Sequence, residues 1–336
     1  MQPSVLVTGG AGFIGSHACK ILANAGYLPV TIDNLTTGLR HAVKWGPFIQ
    51  GSIGNQSIVA EAIRCFKPVA ALHFAGFISV GESVISPAVY YNNNVAQTLS
   101  FLDALIEGGV TKLVFSSSAA VYRACAKPIR LSERDPLWPE SPYGRSKLIV
   151  ENVLEDYAAA YGLQSLSLRY FNAAGADPDG EIGEAHDPET HLVPLVLQTA
   201  LGERPQVEMY GTNFSTSDGT CVRDFVHVSD LAEGHLKALD LLLGYLEPSH
   251  RALNLGSGQG YSVKEVIETA RKMTGCEIAV RDAPARKGDQ PYLIADTQMA
   301  QKLLDWMPQR SSLETIIGDA WRWHASLNKS ADSCNS

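Results

Sequence analysis

The chain has 336 residues, 45% of them hydrophobic and 18% charged, and its formal net charge is −8. At a typical ~150 residues per domain, this length predicts about two globular domains. The acidic balance argues against a nucleic-acid partner, because a phosphate backbone requires a basic protein face. No apolar run approaches the roughly 18 residues that a membrane helix needs, so we expect no membrane partner.

The N-terminus and the cysteines indicate the compartment. The first residues do not show the basic segment and apolar stretch of a secretory leader. The six cysteines have long, irregular spacings and include no C-x-x-C pair, so we expect neither a disulfide framework nor a metal site. The sequence therefore predicts a cytoplasmic protein with reduced thiols and no bound metal.

Short apolar runs alternate with longer helical patterns through the first 175 residues. The pattern predicts strands at 4–8, 27–33, 70–74, 112–116 and 166–169. It predicts helices at 13–25, 58–66, 94–107 and 142–161. Continuous apolar strands between helices are typical of a parallel sheet that is covered on both faces. We therefore expect an α/β fold with a Rossmann-type, doubly wound parallel sheet over residues 1–175.

The character of the sequence changes after Gly175. Residues 176–190 and 202–224 contain Pro, Gly and acidic residues without periodicity, which predicts a smaller, loop-rich substrate domain covering mainly 176–330. Residues 226–243 look helical again, and we expect the chain to rejoin the first domain at about 223–250. The polar tail at 331–336 is predicted to be frayed.

A glycine-rich segment lies between the first strand and the first helix, where residues 8–15 read TGGAGFIG. Gly9 permits a tight turn, Gly12 lets a pyrophosphate approach the backbone, and Gly15 lets helix and strand pack closely. The phosphates would then meet the free N–H groups of a helix N-terminus. Asp33, at the end of the second strand, suits a ribose diol and repels a 2′-phosphate. The segment therefore predicts NAD binding in preference to NADP.

A candidate catalytic group follows the strand at 112–116. That strand ends in Ser116, Ser117 and Ser118, and parallel-sheet active sites lie beyond the carboxyl ends of strands. Tyr143 and Lys147 are four residues apart and share one face of the predicted helix. A free phenol has a pKa near ~10 and is a poor base. We expect the Lys147 ammonium and a positive nicotinamide ring to lower that pKa, which makes Tyr143 a candidate general base.

Together these segments resemble the extended short-chain dehydrogenase/reductase superfamily. Within it the chain is similar to the 4-epimerases that interconvert UDP-glucose and UDP-galactose, over roughly residues 4–325. The segments that carry the resemblance are 7–17, 73–76, 80–83, 115–118, 141–147, 169–172, 218–224 and 288–289. The resemblance implies a Rossmann fold, tightly bound NAD, a UDP-hexose substrate and a homodimer formed through helices such as 95–107 and 142–161.

The resemblance also implies a mechanism. Tyr143 takes the proton of the sugar 4-hydroxyl while C4 gives a hydride to NAD, and Ser118 hydrogen-bonds the same oxygen. Lys147 holds the nicotinamide ribose and tunes Tyr143. The 4-keto sugar then turns over in the pocket and takes the hydride back on its other face, so NAD ends unchanged.

Further site residues follow from the resemblance. The cofactor positions are Gly9, Gly12, Phe13, Ile14, Gly15, Asp33, Asn34, Ser52, Ile53, Phe74, Ala75, Asn94, Ser116, Tyr143, Lys147 and Tyr170. The UDP-sugar positions are Ser118, Tyr143, Asn172, His191, Leu192, Tyr210, Arg223, Arg286, Asp289 and Leu293. Many members of the family have an acidic residue at the position of Ser52, where it contacts adenine.

Related activities stay open at this point. A 4-epimerase of UDP-arabinose and UDP-xylose, or of UDP-N-acetylhexosamines, would keep every catalytic residue. Leu293 is intermediate between the bulky and small residues that separate these specificities. A nucleotide-sugar dehydratase or decarboxylase would need a carboxylate just after Ser118, and residues 119–122 contain none. An NAD-sensing regulator on the same fold would usually lose the Tyr143–Lys147 pair.

Overall fold

Short apolar runs form one seven-stranded parallel sheet at the centre of the computed structural model, with the strand order β12-β7-β5-β4-β1-β2-β3. The structure describes residues 2–123, 129–244, 247–286 and 289–334, with side chains as far as residue 327. The strands are β1 (Ser4–Thr8), β2 (Leu28–Asp33), β3 (Phe48–Gln50), β4 (Ala70–His73), β5 (Lys112–Ser118), β6 (Arg130–Leu131), β7 (Gln164–Tyr170), β8 (Asn172–Ala174), β9 (Val207–Tyr210), β10 (Val222–Arg223), β11 (Phe225–His227), β12 (Ser249–Leu255), β13 (Tyr261–Ser262), β14 (Val280–Ala283) and β15 (Tyr292–Ala295).

Helices cover both faces of this sheet, and the predicted doubly wound α/β fold is confirmed. The helices are α1 (Phe13–Asn24), α2 (Gln56–Phe66), α3 (Val80–Ile85), α4 (Pro87–Tyr91), α5 (Gln97–Glu107), α6 (Pro142–Tyr161), α7 (Leu192–Ala200), α8 (Val228–Gly244), α9 (Val263–Thr274), α10 (Gln298–Leu304) and α11 (Leu313–Cys334). Successive residues of β1 face opposite sides, because side chains alternate along a strand. Val5 and Val7 join a core with α1 and α8, whereas Leu6 joins a core with α2, α5 and α6.

A second group of elements packs beside the carboxyl end of the sheet. Helices α7, α9 and α11 enclose a separate apolar cluster that includes Val196, Ile267 and Ile316. Two short sheets, β13-β10-β15-β6 and β14-β9, complete this part of the molecule. The chain crosses back before it ends, since β12 lies at the edge of the large sheet. The domain boundary near residue 175 stays a prediction.

Several predicted elements differ in detail from those observed. The helix predicted at 94–107 begins with a π-helical turn at Asn92–Ala96, and α5 starts only at Gln97. The helix predicted at 226–243 is preceded by the short strand β11, which pairs with β8. The irregular segment 202–224 contains β9 and β10, because their alternating burial is too short to give a sequence signal. Helix α11 extends as far as residue 334, and the frayed tail predicted at 331–336 stays a prediction.

No helix in the described ranges is long and apolar enough to cross a membrane.

A buried carboxylate joins the large sheet to the second group of elements. Asp224 is fully buried between β10 and β11. Its carboxylate accepts hydrogen bonds from Ser257 N and Oγ (both 2.7 Å), Gly258 N (2.9 Å) and Ala295 N (3.0 Å). Its carbonyl oxygen accepts a bond from Asn172 N at 2.9 Å. The side chain therefore fixes the segments at 257–258 and 295, and the backbone carbonyl of the same residue holds β8.

We predict that Asp224→Ala lowers the free energy of unfolding by at least about 3 kcal/mol, because several buried donors lose their acceptor at about 1–3 kcal/mol each. Urea unfolding followed by circular dichroism measures the loss. The control is Glu277→Ala at an exposed position, where we expect a change within about 0.5 kcal/mol. A loss below about 1 kcal/mol for Asp224→Ala would contradict the role assigned to this carboxylate.

Candidate active site

The glycine-rich segment forms a tight turn between β1 and α1. Gly9 has φ +72°, and its N–H donates to Ile32 O at 2.9 Å. A Cβ atom on Gly9 would lie 2.6 Å from Ala75 N, and one on Gly15 would lie 2.1 Å from Gly9 O. Both positions therefore require glycine. The N-cap residue Gly12 offers no side-chain cap to the first turn of α1, which leaves free backbone N–H groups that suit a pyrophosphate.

Asp33 lies at the carboxyl end of β2, beside this turn, and is 7% exposed. Its Oδ2 accepts a bond from Ala11 N at 3.0 Å and its Oδ1 from Leu35 N at 2.8 Å. Burial raises the pKa of this carboxyl group, although the two backbone N–H groups oppose that shift. Each carboxylate oxygen keeps acceptor capacity, so the group can bind a ribose diol. Asn34 is exposed, and its Oδ1 accepts a bond from Thr36 N.

The predicted cofactor wall is fixed largely by Asn94, which lies in the π-helical turn and is 4% exposed. Its Oδ1 accepts from Phe77 N at 2.8 Å, and its Nδ2 donates to Phe77 O at 3.0 Å and to Ser146 Oγ at 3.2 Å. The turn thereby holds the loop after β4 against α6. Ala75 belongs to that loop, and the Phe74 ring contacts His235 with centroids 4.6 Å apart.

Ser52 and Ile53 lie beyond β3, on the adenine side of the predicted cofactor site. The Ser52 hydroxyl donates to Gln97 Oε1 at 2.7 Å, and its oxygen accepts from Gly54 N at 3.1 Å. Ile53 is buried in the core beneath. Both residues are predicted cofactor contacts, and those assignments stay predictions.

The three candidate catalytic residues meet where β5 ends and α6 begins. Lys147 is 4% exposed, and its Nζ donates to Ser116 O at 2.7 Å. The same Nζ lies 5.9 Å from the centroid of the Tyr143 ring. The Ser118 hydroxyl oxygen accepts a bond from Ala120 N at 3.1 Å and hydrogen-bonds the Tyr143 phenol. Sequence reasoning placed these residues together, and the structure does so as well.

The electrostatics of this cluster differ from the sequence-based expectation. Burial raises the pKa of Tyr143, and the hydrogen bond from Ser118 opposes the shift only in part. Burial also lowers the pKa of Lys147 to about 8, although Glu151 acts to raise it. The protein alone therefore does not lower the pKa of Tyr143 through Lys147, because the ammonium is turned towards the Ser116 carbonyl oxygen. A positive nicotinamide ring would supply the missing cationic charge.

Glu151 is a positioning residue that sequence reasoning missed. It follows Tyr143 and Lys147 at four-residue spacing on the same helix face. Its carboxylate binds Arg169 of β7, with Oε1 3.0 Å from Nε and Oε2 2.6 Å from Nη2, and both side chains are about 95% buried. Ser117 Oγ donates to Glu151 Oε1 at 2.5 Å. This pair therefore fixes α6 against the two strands that end at the candidate site.

The same network extends to the edge of the sheet. Arg169 Nη1 donates to the Tyr122 phenol oxygen at 3.0 Å, and that phenol donates to Asn254 Oδ1 at 2.6 Å. Tyr170 follows Arg169 and is opposite Ser118 in the β5–β7 register. Its hydroxyl makes a short hydrogen bond with His235 Nε2 of α8. Burial raises the pKa of Tyr170, so this phenol stays protonated.

A second set of predicted residues meets near β10 and β15. Arg223 Nη1 donates to Gln290 O at 2.7 Å, and its Nη2 lies 3.6 Å from Asp289 Oδ1. The Arg286 guanidinium lies 3.8 Å above the Tyr210 ring. The two guanidinium groups therefore place positive charge at this end of a protein whose net charge is −8.

Leu293 and Asn172 connect this second set to the strand-end hydroxyls. Leu293 pairs with Arg223 and packs against a cluster that contains Ala119 and Tyr122, just beyond Ser118. The Nδ2 group of Asn172 donates to Asp224 O at 2.9 Å. The predicted catalytic and substrate residues therefore belong to one edge of the fold.

His191 and Leu192 behave differently from the other predicted substrate residues. Leu192 is the first residue of α7. The Nδ1 atom of His191 lies 2.6 Å from Glu184 Oε1 and 3.3 Å from Glu189 Oε1. Burial acts to lower the pKa of His191, but Glu184 and Glu189 raise it to about 10. The Nδ1 atom of this imidazole is thus engaged by two carboxylates, and the assignment of His191 to the substrate stays a prediction.

The parallel sheet, the glycine turn and the carboxylate after β2 define a dinucleotide-binding enzyme fold of the Rossmann type. The NAD dependent epimerase/dehydratase family matches residues 5–256. A UDP-glucose 4-epimerase of Rhizobium meliloti (strain 1021) is 45% identical over 326 residues, which cover 97% of this chain and 98% of that protein. The chain belongs to this NAD-dependent family and, within it, to the UDP-glucose 4-epimerases.

Solved structures agree with this assignment. The crystal structure of UDP-glucose 4-epimerase from Brucella ovis in complex with NAD is 46% identical, with a TM-score of 0.92, and the match covers 95% of this chain and 97% of that one. The UDP-Glc/GlcNAc 4-epimerase from Campylobacter jejuni is 36% identical, with a TM-score of 0.83, and the match covers 96% and 99% of the two chains.

We predict that Glu151→Leu and Arg169→Met each lower the free energy of unfolding by about 3–5 kcal/mol, because each leaves an uncompensated buried charge. The double variant removes both charges, so it should recover most of that loss. Denaturant unfolding of the four proteins measures the coupling. If the double variant loses the sum of the two single losses, the pair does not act as a unit.

Proposed function

We propose that this protein interconverts UDP-glucose and UDP-galactose by transient oxidation at C4 of the sugar, with NAD held throughout the cycle. The observation that carries the proposal is the group of Ser118, Tyr143 and Lys147 at the carboxyl end of β5, two strands from the glycine turn. The names of the relatives support the same reaction. Ser118 is followed by Ala119 and Ala120, so the carboxylate that a dehydratase would need there is missing.

In the proposed mechanism Tyr143 is the general base for the sugar 4-hydroxyl. Its phenol oxygen takes the proton, and the Ser118 hydroxyl hydrogen-bonds the same sugar oxygen. Because burial raises the pKa of Tyr143, the phenolate needs a nearby positive charge. The nicotinamide ring of bound NAD would supply that charge, while Lys147 remains anchored on Ser116 O. When the sugar is reduced again, Tyr143 returns the proton.

Bound NAD would supply hydride acceptance and hydride return at C4. The residues proposed to hold it are the glycine turn with Phe13 and Ile14, Asp33 with Asn34, and the wall at Phe74, Ala75 and Asn94. The Asp33 carboxylate favours a free ribose diol over a 2′-phosphate, which supports NAD over NADP. Ser52 is assigned to the adenine side, and Tyr170 to the nicotinamide side.

Binding of the UDP moiety is assigned to the second set of residues. Arg223 and Arg286 supply cations for the diphosphate, since guanidinium groups bind phosphate oxygens through several donors. Asn172, Tyr210, Leu192 and Asp289 are proposed as further contacts to the nucleotide or the sugar. We do not extend this role to His191, because Glu184 and Glu189 already engage its imidazole.

A cytoplasmic homodimer is part of the same proposal. Helix α6 presents Ile149 and Tyr161 to the exterior, with 37% and 56% exposure. The phenol of Tyr157 donates to Asp103 Oδ1 at 2.6 Å, which holds α6 beside α5. These two helices offer the kind of partly apolar surface that a second copy can cover. Free thiols at Cys19, Cys65, Cys221 and Cys276 suit a reducing compartment.

We predict that the purified protein converts UDP-galactose to UDP-glucose and releases NAD on denaturation. Tyr143→Phe keeps the ring but removes the base, so turnover should fall by about 10²–10⁴-fold while NAD content is retained. The rate is measured by a coupled assay of UDP-glucose formation. Tyr27→Phe is the control and should keep its rate, because its exposed phenol lies just before the start of β2 and bonds Asp240. Near-normal turnover of Tyr143→Phe would refute the assigned base.

A second candidate activity is 4-epimerisation of UDP-N-acetylhexosamines. The Campylobacter jejuni relative is named for both sugar types, and Leu293 is smaller than the tyrosine that would restrict the pocket to plain hexoses. Leu293 and Tyr292 point to opposite sides of β15, because side chains alternate along a strand. Leu293 is the residue that packs beyond Ser118, which supports its choice as the gate.

We predict weak activity on UDP-N-acetylgalactosamine, because one side chain changes discrimination by only about 1–3 kcal/mol. Leu293→Tyr should suppress this activity and spare that on UDP-galactose. The ratio of the two kcat/KM values is the measurement, and Tyr292→Leu is the control on the opposite side of the strand. An unchanged ratio in Leu293→Tyr would show that another residue sets sugar size.

A further inference from the structure

The segment just before α7 brings together four side chains that the proposed reaction does not use. Glu184, His186, Glu189 and His191 each offer one ligand atom, and these atoms all lie within 4.8 Å of one another. The Nδ1 atom of His186 lies 3.1 Å from Glu184 Oε1 and 3.9 Å from Glu189 Oε2. The Nδ1 atom of His191 lies 2.6 Å and 3.3 Å from oxygens of the same two carboxylates.

The facing atoms are buried but lack hydrogen bonds. Among the described residues, Glu184 Oε1, His186 Nδ1, Glu189 Oε2 and His191 Nδ1 are all shielded from solvent and have no hydrogen-bond partner. The two glutamate side chains are each 3% exposed. Unpaired buried carboxylate oxygens are costly. The lone pairs of four side chains converge here without hydrogen-bond geometry between them. This is the arrangement expected around a cation.

Other contacts hold these ligands in place. Glu189 Oε1 accepts bonds from Thr190 N at 2.6 Å and His191 N at 2.8 Å, so its Oε2 is directed inward. The Trp323 indole donates to Glu184 O at 2.9 Å, which fixes the backbone at the first ligand. Outer contacts of this kind orient metal ligands and are a normal part of such sites.

A neighbouring acidic cluster differs from this one, because a lysine provides hydrogen bonds to its carboxylates. Asp177, Asp179 and Glu181 also converge, but the Lys20 ammonium lies 2.6–2.9 Å from their oxygens and donates hydrogen bonds to Asp177 and Asp179. No lysine or arginine makes an ion pair with Glu184 or Glu189 in the described part of the chain. A protonated His191 would balance part of their charge without a metal ion. The experiment must distinguish this ion pair from a bound cation.

We propose that Glu184, His186, Glu189 and His191 form a closed structural site for a divalent cation, and that Zn²⁺ is the ion it fits. Two imidazoles and two carboxylates are a common ligand set for tetrahedral zinc, with bonds of about 2.0–2.2 Å. Two carboxylates and one divalent ion balance in charge when both imidazoles are neutral. A site with four protein ligands has no open position, so its role is to hold the chain.

The position of the site indicates what it holds. Ile182, Gly183 and His186 line a crevice together with Gly12 and Phe13 of the glycine turn. His191 directly precedes α7, which begins at Leu192. A bound ion would therefore fix the segment that joins the glycine turn to the helix assigned to UDP-sugar binding. Cysteine spacing, on which the prediction of no bound metal depended, gives no information about these ligands, which are histidines and glutamates within eight residues.

Metal content and melting temperature of the full-length protein test this proposal. The protein is prepared without a histidine tag, loaded with ZnCl₂ and passed through a desalting column, and metal is measured by inductively coupled plasma mass spectrometry. We expect about one zinc ion per chain and a melting temperature about 5 °C above that of the EDTA-treated protein. His186→Ala and Glu184→Gln should lose both the metal and the zinc-dependent shift. His41→Ala, an exposed histidine of the same crevice, is the control and should keep both.

Cobalt gives a readout that does not depend on folding stability. The EDTA-treated protein titrated with CoCl₂ should develop the strong visible absorption of tetrahedral Co²⁺, and His186→Ala should not. The proposal is overturned if the wild-type protein retains no zinc and shows no cobalt bands, in which case the cluster is an ion pair of His191 with the glutamates. It is also overturned if His186→Ala and Glu184→Gln bind zinc as the wild type does.

Discussion

The buried pair of Glu151 and Arg169 sets the position of the helix on which the candidate catalysis depends. An isolated charge in this region would be strongly destabilising, so the two side chains must face each other across α6 and β7. This requirement fixes the rotation of α6 about its axis. Tyr143 lies two helical turns before Glu151, and Lys147 lies one turn before it. The same rotation of α6 therefore brings both residues to the end of β5. The reacting phenol is therefore positioned by an ion pair that takes no part in proton transfer.

Much of the first half of the fold could be predicted from the sequence, because buried parallel strands leave uninterrupted apolar runs. The glycine turn was equally clear, since Gly9 and Gly15 occupy positions where any Cβ would collide with backbone. The π-helical turn at Asn92–Ala96 could not be predicted. Its conformation depends on the contacts of Asn94 with Phe77 and Ser146, which join distant parts of the chain.

The candidate active site was likewise predicted only in part from the sequence. Ser118, Tyr143 and Lys147 are separated by short, recognisable spacings, and the sequence placed them together. Glu151 was missed although it continues the same spacing, because an acidic residue on a helix is usually exposed. The environment of Tyr143 was also missed, since the pKa of a phenol depends on how deeply it is buried and the sequence pattern does not measure depth. The raised pKa makes the phenol more dependent on neighbouring cations.

The return of the chain to the large sheet has a consequence for synthesis on the ribosome. β12 pairs with β7 along its full length, from Ser249–Gln164 to Leu255–Tyr170, yet 78 residues separate Tyr170 from Ser249 in the chain. While those residues are being translated, β7 has a neighbour on one side only, and its other edge is open to pairing with other chains. The sheet closes only after translation has passed Leu255. The cofactor half therefore cannot mature as an independent N-terminal unit, and much of the substrate half must emerge before the first is complete.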